Sequence, residues 1–192
     1  MTISEKGLRE FLDSYLGNIS IVFFELYSHP NFLNIIEILR NCWESNGTVH
    51  LAGNGGSAAM ASHFATDWTK GLFINTGRSH KTRDLNSSIP LITASANDLG
   101  WENGLSAILE MNFNKEDVLL IISSSGKSSN LLNLAKKAKE IGITTISLSG
   151  FGASNLTKVT DLSLTTSCTD IQQIEDAHSI FGHLIYKIFS KI

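Results

Sequence analysis

Short apolar segments alternate with helical segments along most of the chain, and this alternation limits the folds it can adopt. Residues 48–52, 89–93, 118–123, 143–149 and 162–166 are the predicted strands. Helices are predicted from residue 58 onward and over 101–111, 129–141 and 174–189. Apolar strands separated by helices form parallel sheets that are covered on both faces. The pattern therefore predicts a three-layer α/β/α sandwich around a mostly parallel sheet, with residues 75–86 as a polar surface loop.

Two helices precede the first strand. Apolar residues recur at helical spacing over 4–26 and again over 32–43, with Pro30 placed for the first turn of the second helix. Asn46-Gly47 is a typical helix end. Both helices carry more apolar residues than a single stripe requires. Residues 1–46 would therefore either contact a partner subunit or contribute to a thick core within one chain.

Composition excludes several classes of protein. The 192 residues include 42% hydrophobic and 17% charged residues, typical of one globular domain. A formal net charge of -3 and the lack of a basic run argue against nucleic acid as a ligand. No apolar run approaches a membrane span or a signal sequence. Cys42 and Cys168 fit free thiols in a reducing compartment, so we expect a cytoplasmic protein.

The segment "SSSGKSS" follows a predicted strand and resembles the end of a P-loop. A P-loop needs a glycine separated by four residues from Gly126-Lys127, but Ile121 occupies that position. Five serines lie between residues 123 and 129, where a helix begins. Hydroxyls and backbone N–H groups at a helix start bind anions. We interpret the segment as a site for the phosphate of a small molecule, although one serine could serve only as a helix cap.

A second loop, "GNGGS" at residues 53–57, also joins a strand to a helix. Gly53, Gly55 and Ala58 match the pattern GxGxxA of dinucleotide-binding proteins. The acidic residue expected about 20 positions later, at the end of a second strand, is missing. We therefore expect no nucleotide cofactor. Glycine here would instead allow close approach of the backbone to another ligand.

Four segments carry a family resemblance: "GNGGSAAMASHFATD", which begins with the glycine loop, the serine loop, "ANDLG" and "IEDAHSIFGH". With them the chain resembles the sugar isomerase (SIS) domain family, and within it the phosphoheptose isomerases. The resemblance covers nearly the whole chain, so 1–192 would form one SIS domain with a flavodoxin-like fold. It implies conversion of sedoheptulose 7-phosphate to D-glycero-D-manno-heptose 7-phosphate through an enediol. It also implies a homotetramer with active sites at subunit boundaries, in which residues 1–46 form the oligomerisation segment. Sugar-phosphate contacts are implied for Asn54, Gly55, Gly56, Ser57, Asn97, Asp98, Ser123, Ser124, Ser125 and Ser128.

The resemblance also implies the chemical residues. It places zinc ligands at His63, Asp67, Glu175 and His183, with Asp67 as catalytic base, His183 as catalytic acid, and both carboxylates near the sugar. Relatives usually have glutamate at position 67 and glutamine at 175, so this chain has a shorter base and an additional negative charge. Glu175 and His183 are eight residues apart, about 12 Å along one helix, which separates them unless their side chains converge or come from different subunits. His178 is a rival ligand.

Two other functions stay open. A non-catalytic SIS protein would bind a sugar phosphate or a protein partner, as a related replication-initiator-associating regulator does. That regulator lacks the histidine of the last helix, which this chain has as His183. The other alternative is a SIS enzyme that acts on a different sugar phosphate.

Overall fold

The computed structural model describes residues 4–152 and 154–191 and contains one five-stranded sheet. The strands are β1 Thr48–Ala52, β2 Lys81–Asp84, β3 Val118–Ser123, β4 Thr144–Ser149 and β5 Leu162–Thr165. They lie in the order β2-β1-β3-β4-β5, and every neighbouring pair is parallel. The chain moves from β1 outward to β2 and then returns to the other side of β1. In sheets of this order, ligands bind outside the carboxyl ends of β1 and β3.

Helices cover both faces of the sheet. They are α1 Glu5–Tyr27, α2 Phe32–Glu44, α3 Gly56–Thr66, α4 Leu72–Thr76, α5 Ile89–Leu99, α6 Trp101–Glu110, α7 Ser129–Glu140 and α8 Ile171–Phe189. A π-helix, Asp67–Gly71, joins α3 to α4, and a 3-10 turn, Leu156–Lys158, precedes β5. Among the described residues, no helix combines the length and the apolar character that crossing a bilayer requires.

Strand β3 shows how the sheet separates two cores. All six of its residues are buried. Leu120 and Ile122 pack with α1, α2, α3 and α8, whereas Leu119 and Ile121 pack with α6 and α7. This is the period-two alternation of a strand that is covered on both faces. Each such side chain contributes about 1.5–3 kcal/mol when buried, so the central strand and the loop that follows it have a rigid base.

The prediction of a strand over residues 89–93 was wrong, because the segment begins α5. Its β-branched side chains favour a strand, but the start of the segment favours a helix. Ser88 accepts a hydrogen bond from the backbone N–H of Leu91, and Pro90 lies in the first turn. A first-turn proline needs no amide donor, and serine is a preferred cap.

The strand that the sequence did not predict is β2, which lies inside the segment predicted as a polar loop over 75–86. Its sequence, "KTRD", contains no apolar side chain. It pairs only with β1 and forms the edge of the sheet. Polar and charged residues are common on edge strands because they discourage pairing with other chains. Hydrophobic periodicity therefore could not detect this strand.

The two N-terminal helices differ in how far they are buried. The second helix begins at Phe32, two residues after Pro30, and buries Ile35, Leu39 and Trp43. Helix α1 buries only Val22 and Leu26 among its described residues. Its large exposed side chains are Leu8, Phe11, Leu12, Leu16, Ile21, Phe24 and Tyr27. The intramolecular core therefore accounts for α2 but not for the apolar surface of α1.

Helix α1 is attached to the body of the protein through Glu25. Its carboxylate accepts hydrogen bonds of 2.7 Å from the hydroxyl of Thr166 and from the amide and hydroxyl of Ser167. Burial alone would raise the pKa of Glu25, but these hydrogen bonds outweigh it and hold the pKa below its ordinary value. The contact fixes the direction of α1 beside the end of β5.

Candidate active site

The glycine loop after β1 and the serine loop after β3 lie side by side at the carboxyl edge of the sheet. Asn54 and Asn130 join them through two reciprocal amide hydrogen bonds of 2.9 Å, and Asn130 is buried. Gly55 has φ +54°, a conformation that glycine adopts without strain. A Cβ on Gly53 would lie 2.6 Å from the backbone of Ser57, so the loop folds tightly onto the start of α3.

The serine loop is organised by its own hydroxyls. Ser123 accepts a hydrogen bond of 3.1 Å from the amide of Gly126, which has φ +59°, and Ser125 accepts one of 3.4 Å from the amide of Lys127. Ser128 precedes α7 but makes no side-chain cap to it. The loop borders a cavity of about 180 Å³ that is also lined by the glycine loop and the start of α8. Hydroxyls and a helix start around a small cavity suit a phosphate group.

Helices α3 and α8 run side by side in the same direction. Near their starts, the Cβ position of Gly56 is 3.4 Å from the carboxylate of Glu175. Two turns later, the ring of Phe64 fills the space that a Cβ on Gly182 would need. Trp68 is fully buried and donates a 3.1 Å hydrogen bond from its indole N–H to the carbonyl of Gly182. This packing holds the neighbouring residues of the two helices at a fixed separation.

His63, Asp67 and His183 meet on the outer side of this contact, and we call them the His–Asp–His group. The Nε2 atoms of the two histidines are 3.1 Å apart. The Oδ2 atom of Asp67 lies 3.3 Å from Nε2 of His63 and 3.9 Å from Nε2 of His183. The histidine side chains are about half exposed, at 56% and 50%. Solvent or a ligand can therefore reach all three polar atoms.

The His–Asp–His group fits a zinc ion. One ligand atom from each side chain lies within 4.8 Å of the others. Zinc bonds of 2.0–2.1 Å in tetrahedral geometry place neighbouring ligand atoms roughly 3.4 Å apart. The observed separations lie within about half an ångström of that value. Two imidazoles and one carboxylate are also the donors found in catalytic zinc sites, which keep a fourth position open.

Other predicted residues lie elsewhere. Glu175 does not join the His–Asp–His group but lies in the serine-loop cavity, where its Oε1 atom is 3.5 Å from the hydroxyl of Ser124. Asn97 and Asp98 are exposed on α5 and hydrogen-bond to each other at 2.8 Å. His178 is completely buried, and neither ring nitrogen has a hydrogen-bond partner among the described residues. Burial lowers the pKa of His178 to about 4, so His178 is a neutral core residue.

Sequence reasoning missed the residues that fix the glycine loop. The carboxylate of Asp84, at the end of β2, accepts hydrogen bonds from the hydroxyl of Ser62 on α3 and from the amide of Asn86. The side-chain oxygen of Asn86 accepts a 3.2 Å hydrogen bond from the amide of Gly53. Because β2 itself was not predicted, the buried Asp84 was read as a loop residue. Its place two residues before the segment "NSS" was the available signal.

Comparison with known proteins supports the assignment of a family. Residues 21–150 match the model of the SIS domain. Phosphoheptose isomerase 1 of Campylobacter jejuni is 36% identical over 161 residues, covering 81% of this chain and 83% of that protein. Phosphoheptose isomerase of Helicobacter pylori is 34% identical over 150 residues, covering 78% of each chain.

A solved structure agrees over the full length. The phosphoheptose isomerase of Francisella tularensis superposes with a TM-score of 0.86 at 23% sequence identity and covers 100% of both chains. At this identity the structural likeness shows the fold, including the N-terminal helices. The chain therefore belongs to the SIS domain family, and relatives that are 34% and 36% identical to it are named phosphoheptose isomerases.

Proposed function

We propose that the protein is an aldose–ketose isomerase that converts sedoheptulose 7-phosphate to D-glycero-D-manno-heptose 7-phosphate for heptose biosynthesis. The names of its relatives support this proposal. The structural observation that carries it is the distance between the serine loop and the His–Asp–His group. Both sites lie along the same pair of parallel helices, one at the helix starts and the other two turns further on.

The distance between the two sites suits an open-chain heptose phosphate. His63 is seven positions after Gly56 and His183 is eight positions after Glu175, which corresponds to about 11–12 Å of helix rise. In an extended sugar, seven bonds connect C2 to the phosphorus atom and span roughly 8 Å. Hydrogen-bond reach adds about 3 Å. A phosphate held by the serine loop therefore places C1 and C2 beside the His–Asp–His group.

The isomerisation moves a proton between C1 and C2, and we assign this transfer to Asp67. Its carboxylate is partly shielded, with 34% of its side chain exposed, and lies between two histidines. In the metal-free site His183 donates a proton to the carbonyl oxygen as the enediol forms, and the roles reverse in the opposite direction. If His183 holds zinc through Nε2, that nitrogen carries no proton and His183 acts only as a ligand. Binding the distant phosphate aligns the reacting carbons with these groups, so binding energy at one end accelerates chemistry at the other.

Zinc would be held by His63, Asp67 and His183 and, when bound, supplies a Lewis acid that polarises the carbonyl oxygen. Asp67 has two carboxylate oxygens, so ligation through one leaves the other free to take the substrate proton. Glu175 was predicted as a further zinc ligand from the family resemblance. Its carboxylate lies beside Ser124, however, and this position favours a role in the cavity of the serine loop instead.

The test is turnover of sedoheptulose 7-phosphate by the purified protein, with and without a chelator and added zinc. We expect conversion to the aldose, restored by zinc after chelation, and a loss of at least 100-fold in Asp67→Asn and His183→Ala. Conversion that persists in chelator would assign His183 as an acid rather than a ligand. Full activity in both variants would refute the assigned roles.

Assembly completes this proposal. The apolar surface of α1 supports a homotetramer, because it remains exposed in the single chain. Asn97 and Asp98, predicted to contact the sugar, are exposed on α5 and would contribute to a site shared with a neighbouring subunit. The free thiols of Cys42 and Cys168 support a reducing compartment, the cytoplasm. Sedimentation analysis measures the assembly, and a monomer at micromolar concentration would contradict the homotetramer.

A further inference from the structure

The π-helix Asp67–Gly71 begins at the carboxylate residue of the His–Asp–His group. The amide of Leu72 donates a hydrogen bond to the carbonyl of Asp67, five residues earlier, whereas an α-helix would direct it to Trp68. A helical turn of this kind is rare, occurs mostly as a single turn, and frequently lies at a functional site. The contacts that keep this turn open therefore bear on where Asp67 is held.

The carbonyl that the π-helix releases has a partner outside the helix. The carbonyl of Trp68 accepts a 3.0 Å hydrogen bond from the amide of His80, which immediately precedes β2. His80 is completely buried, and its Nε2 atom lies 3.0 Å from the carbonyl of Leu39 on α2. Because a buried carbonyl needs a hydrogen-bond donor, this contact removes the reason for Trp68 to return to the regular α-helical pattern.

Thr82 on β2 joins the backbone before Asp67 to a side chain after it. Its hydroxyl donates a 3.0 Å hydrogen bond to the carbonyl of Ala65, in the last turn of α3. The same hydroxyl lies 2.6 Å from the hydroxyl of Thr69, within the π-helix. A hydroxyl has one hydrogen to donate, so Thr82 accepts from Thr69, which also lies 3.1 Å from the carbonyl of His80. Thr82 thus bridges the positions two residues before and two residues after Asp67.

The carboxylate of Asp67 has little support of its own. Among the described residues, its polar contacts are to the two histidines alone, at 3.3 Å and 3.9 Å. Carboxylates at metal sites are usually held by further hydrogen bonds. The backbone on either side of Asp67 therefore sets its position, and Thr82 is a side chain that contacts both sides.

We infer that Thr82 is a positioning residue for the His–Asp–His group. Its hydroxyl holds the π-helix open and so keeps the carboxylate of Asp67 facing His63 and His183. It acts through the backbone and is not itself a member of the group. The inference rests on the proposed function, since it takes this group as the reacting end of the site. Without the hydroxyl, the turn can tighten toward an α-helix and shift Asp67, and a displacement of about 1 Å costs on the order of 100-fold in rate.

Two substitutions of Thr82 test this role. Thr82→Val removes the hydroxyl and keeps the β-branched shape, whereas Thr82→Ser keeps the hydroxyl. Both leave the backbone pairing of β2 with β1 in place. Binding of cobalt, a spectroscopic substitute for zinc, is titrated by its visible absorption, and turnover of sedoheptulose 7-phosphate is measured in parallel.

The two variants should differ in metal binding and in kcat. We expect Thr82→Val to bind cobalt more weakly by about tenfold or more and to lose about tenfold or more in kcat. Its KM should change by less than about twofold, because the serine loop that binds the phosphate is intact. Thr82→Ser should recover the cobalt affinity and kcat to within about threefold of the unmodified protein.

The matched control is Thr145→Val near the start of β4, three strands away from β2. The hydroxyl of Thr145 also makes two hydrogen bonds, since it donates to the carboxylate of Asp161 at 2.7 Å and accepts from the amide of Asp161 at 2.9 Å. The control should therefore lose stability, as Thr82→Val does, and keep its cobalt affinity and kcat. It separates a general loss of stability from a displacement of Asp67.

Three results would overturn the inference, and they differ in what they say about the enzyme. If Thr82→Val keeps its cobalt affinity and kcat, or if Thr145→Val loses them equally, the hydroxyl of Thr82 does not position Asp67, and the proposed function stands. If the unmodified protein binds no cobalt and converts no sugar phosphate, the proposed function and the inference fail together. If it binds cobalt but converts no sugar phosphate, only the proposed function fails, and the cobalt titration decides the inference.

Discussion

Replacing Gly182 with alanine tests whether the contact between α3 and α8 holds the His–Asp–His group together. The new methyl group would overlap sterically with the edge of the Phe64 ring. That ring cannot retreat, because Phe64 is only 1% exposed and stacks on Trp68 with ring centroids 5.5 Å apart. The helices must therefore move apart to admit one carbon atom.

The size of the effect follows from the contact. Carbon atoms pack at about 3.5–4.0 Å, so the helices must separate by roughly 1.5 Å. Forced packing of this kind costs about 1–3 kcal/mol, and weakening the buried hydrogen bond from Trp68 to Gly182 adds about 1 kcal/mol. In a domain of this size the melting temperature should fall by roughly 5–15 °C. The separation of the histidine nitrogens would grow from 3.1 Å beyond what one zinc ion spans.

Thermal unfolding and the visible absorption of bound cobalt, used as a spectroscopic substitute for zinc, measure both effects. We expect Gly182→Ala to melt lower and to lose the absorption of tetrahedral cobalt. The matched control is Gly17→Ala, because Gly17 lies within α1 and a Cβ there meets no atom within 4 Å. The control should gain up to about 1 kcal/mol of stability and keep cobalt binding. A Gly182→Ala protein with the original melting temperature and metal affinity would refute the reasoning.

Three further predictions concern stability, reactivity and binding. Burial lowers the pKa of His80 and of His178 to about 4, below the unfolded value of 6.5, so unfolding takes up protons as pH falls from 6.5 to 4. The free energy of unfolding, measured in urea, should fall in this window by on the order of 1 kcal/mol per pH unit for each histidine. A free energy of unfolding that does not change between pH 6.5 and 5 would contradict the burial argument. Cys42 is buried, and burial raises its pKa to about 12. A thiol reagent should therefore modify the half-buried Cys168 first in the native protein, as mass spectrometry would show. Equal rates of modification at the two cysteines would contradict this order. Asp84→Asn should raise KM for the sugar phosphate several-fold and lower stability by about 1–2 kcal/mol, because it weakens the hydrogen bonds from Ser62 and Asn86 that support the glycine loop. An unchanged KM would show that the loop is fixed by other contacts.

The fold could be predicted from sequence wherever periodicity and loop chemistry agreed. Strand β3 is apolar except for its last residue, and the helices after β1 and β3 begin at a glycine loop and a serine loop, so the sandwich and its parallel sheet followed directly. The prediction failed where two signals conflicted, as at Ile89 and Pro90, or where the hydrophobic signal was absent, as in β2. An edge strand without apolar residues cannot be recognised from hydrophobic periodicity.

The candidate site was predicted unevenly for a related reason. His63 and Asp67 share a helix face at a spacing of four residues, which sequence shows. That His183 would meet them depends on how α8 packs against α3, and Phe64 and Gly182 determine this packing. The eight-residue spacing did indicate that Glu175 and His183 would lie apart on one chain. It could not indicate that Glu175 would enter the cavity of the serine loop.

The contact between α3 and α8 also determines when the site forms during folding. His63 and His183 are separated by 120 residues in sequence, and contacts of such long range form late because the intervening chain must first be ordered. The strands and the two ligand loops all precede α8 in the chain, and one face of the sheet is covered completely only when α8 packs on it. Metal-binding capacity should then appear only in the final step, so the site reports on the completion of folding.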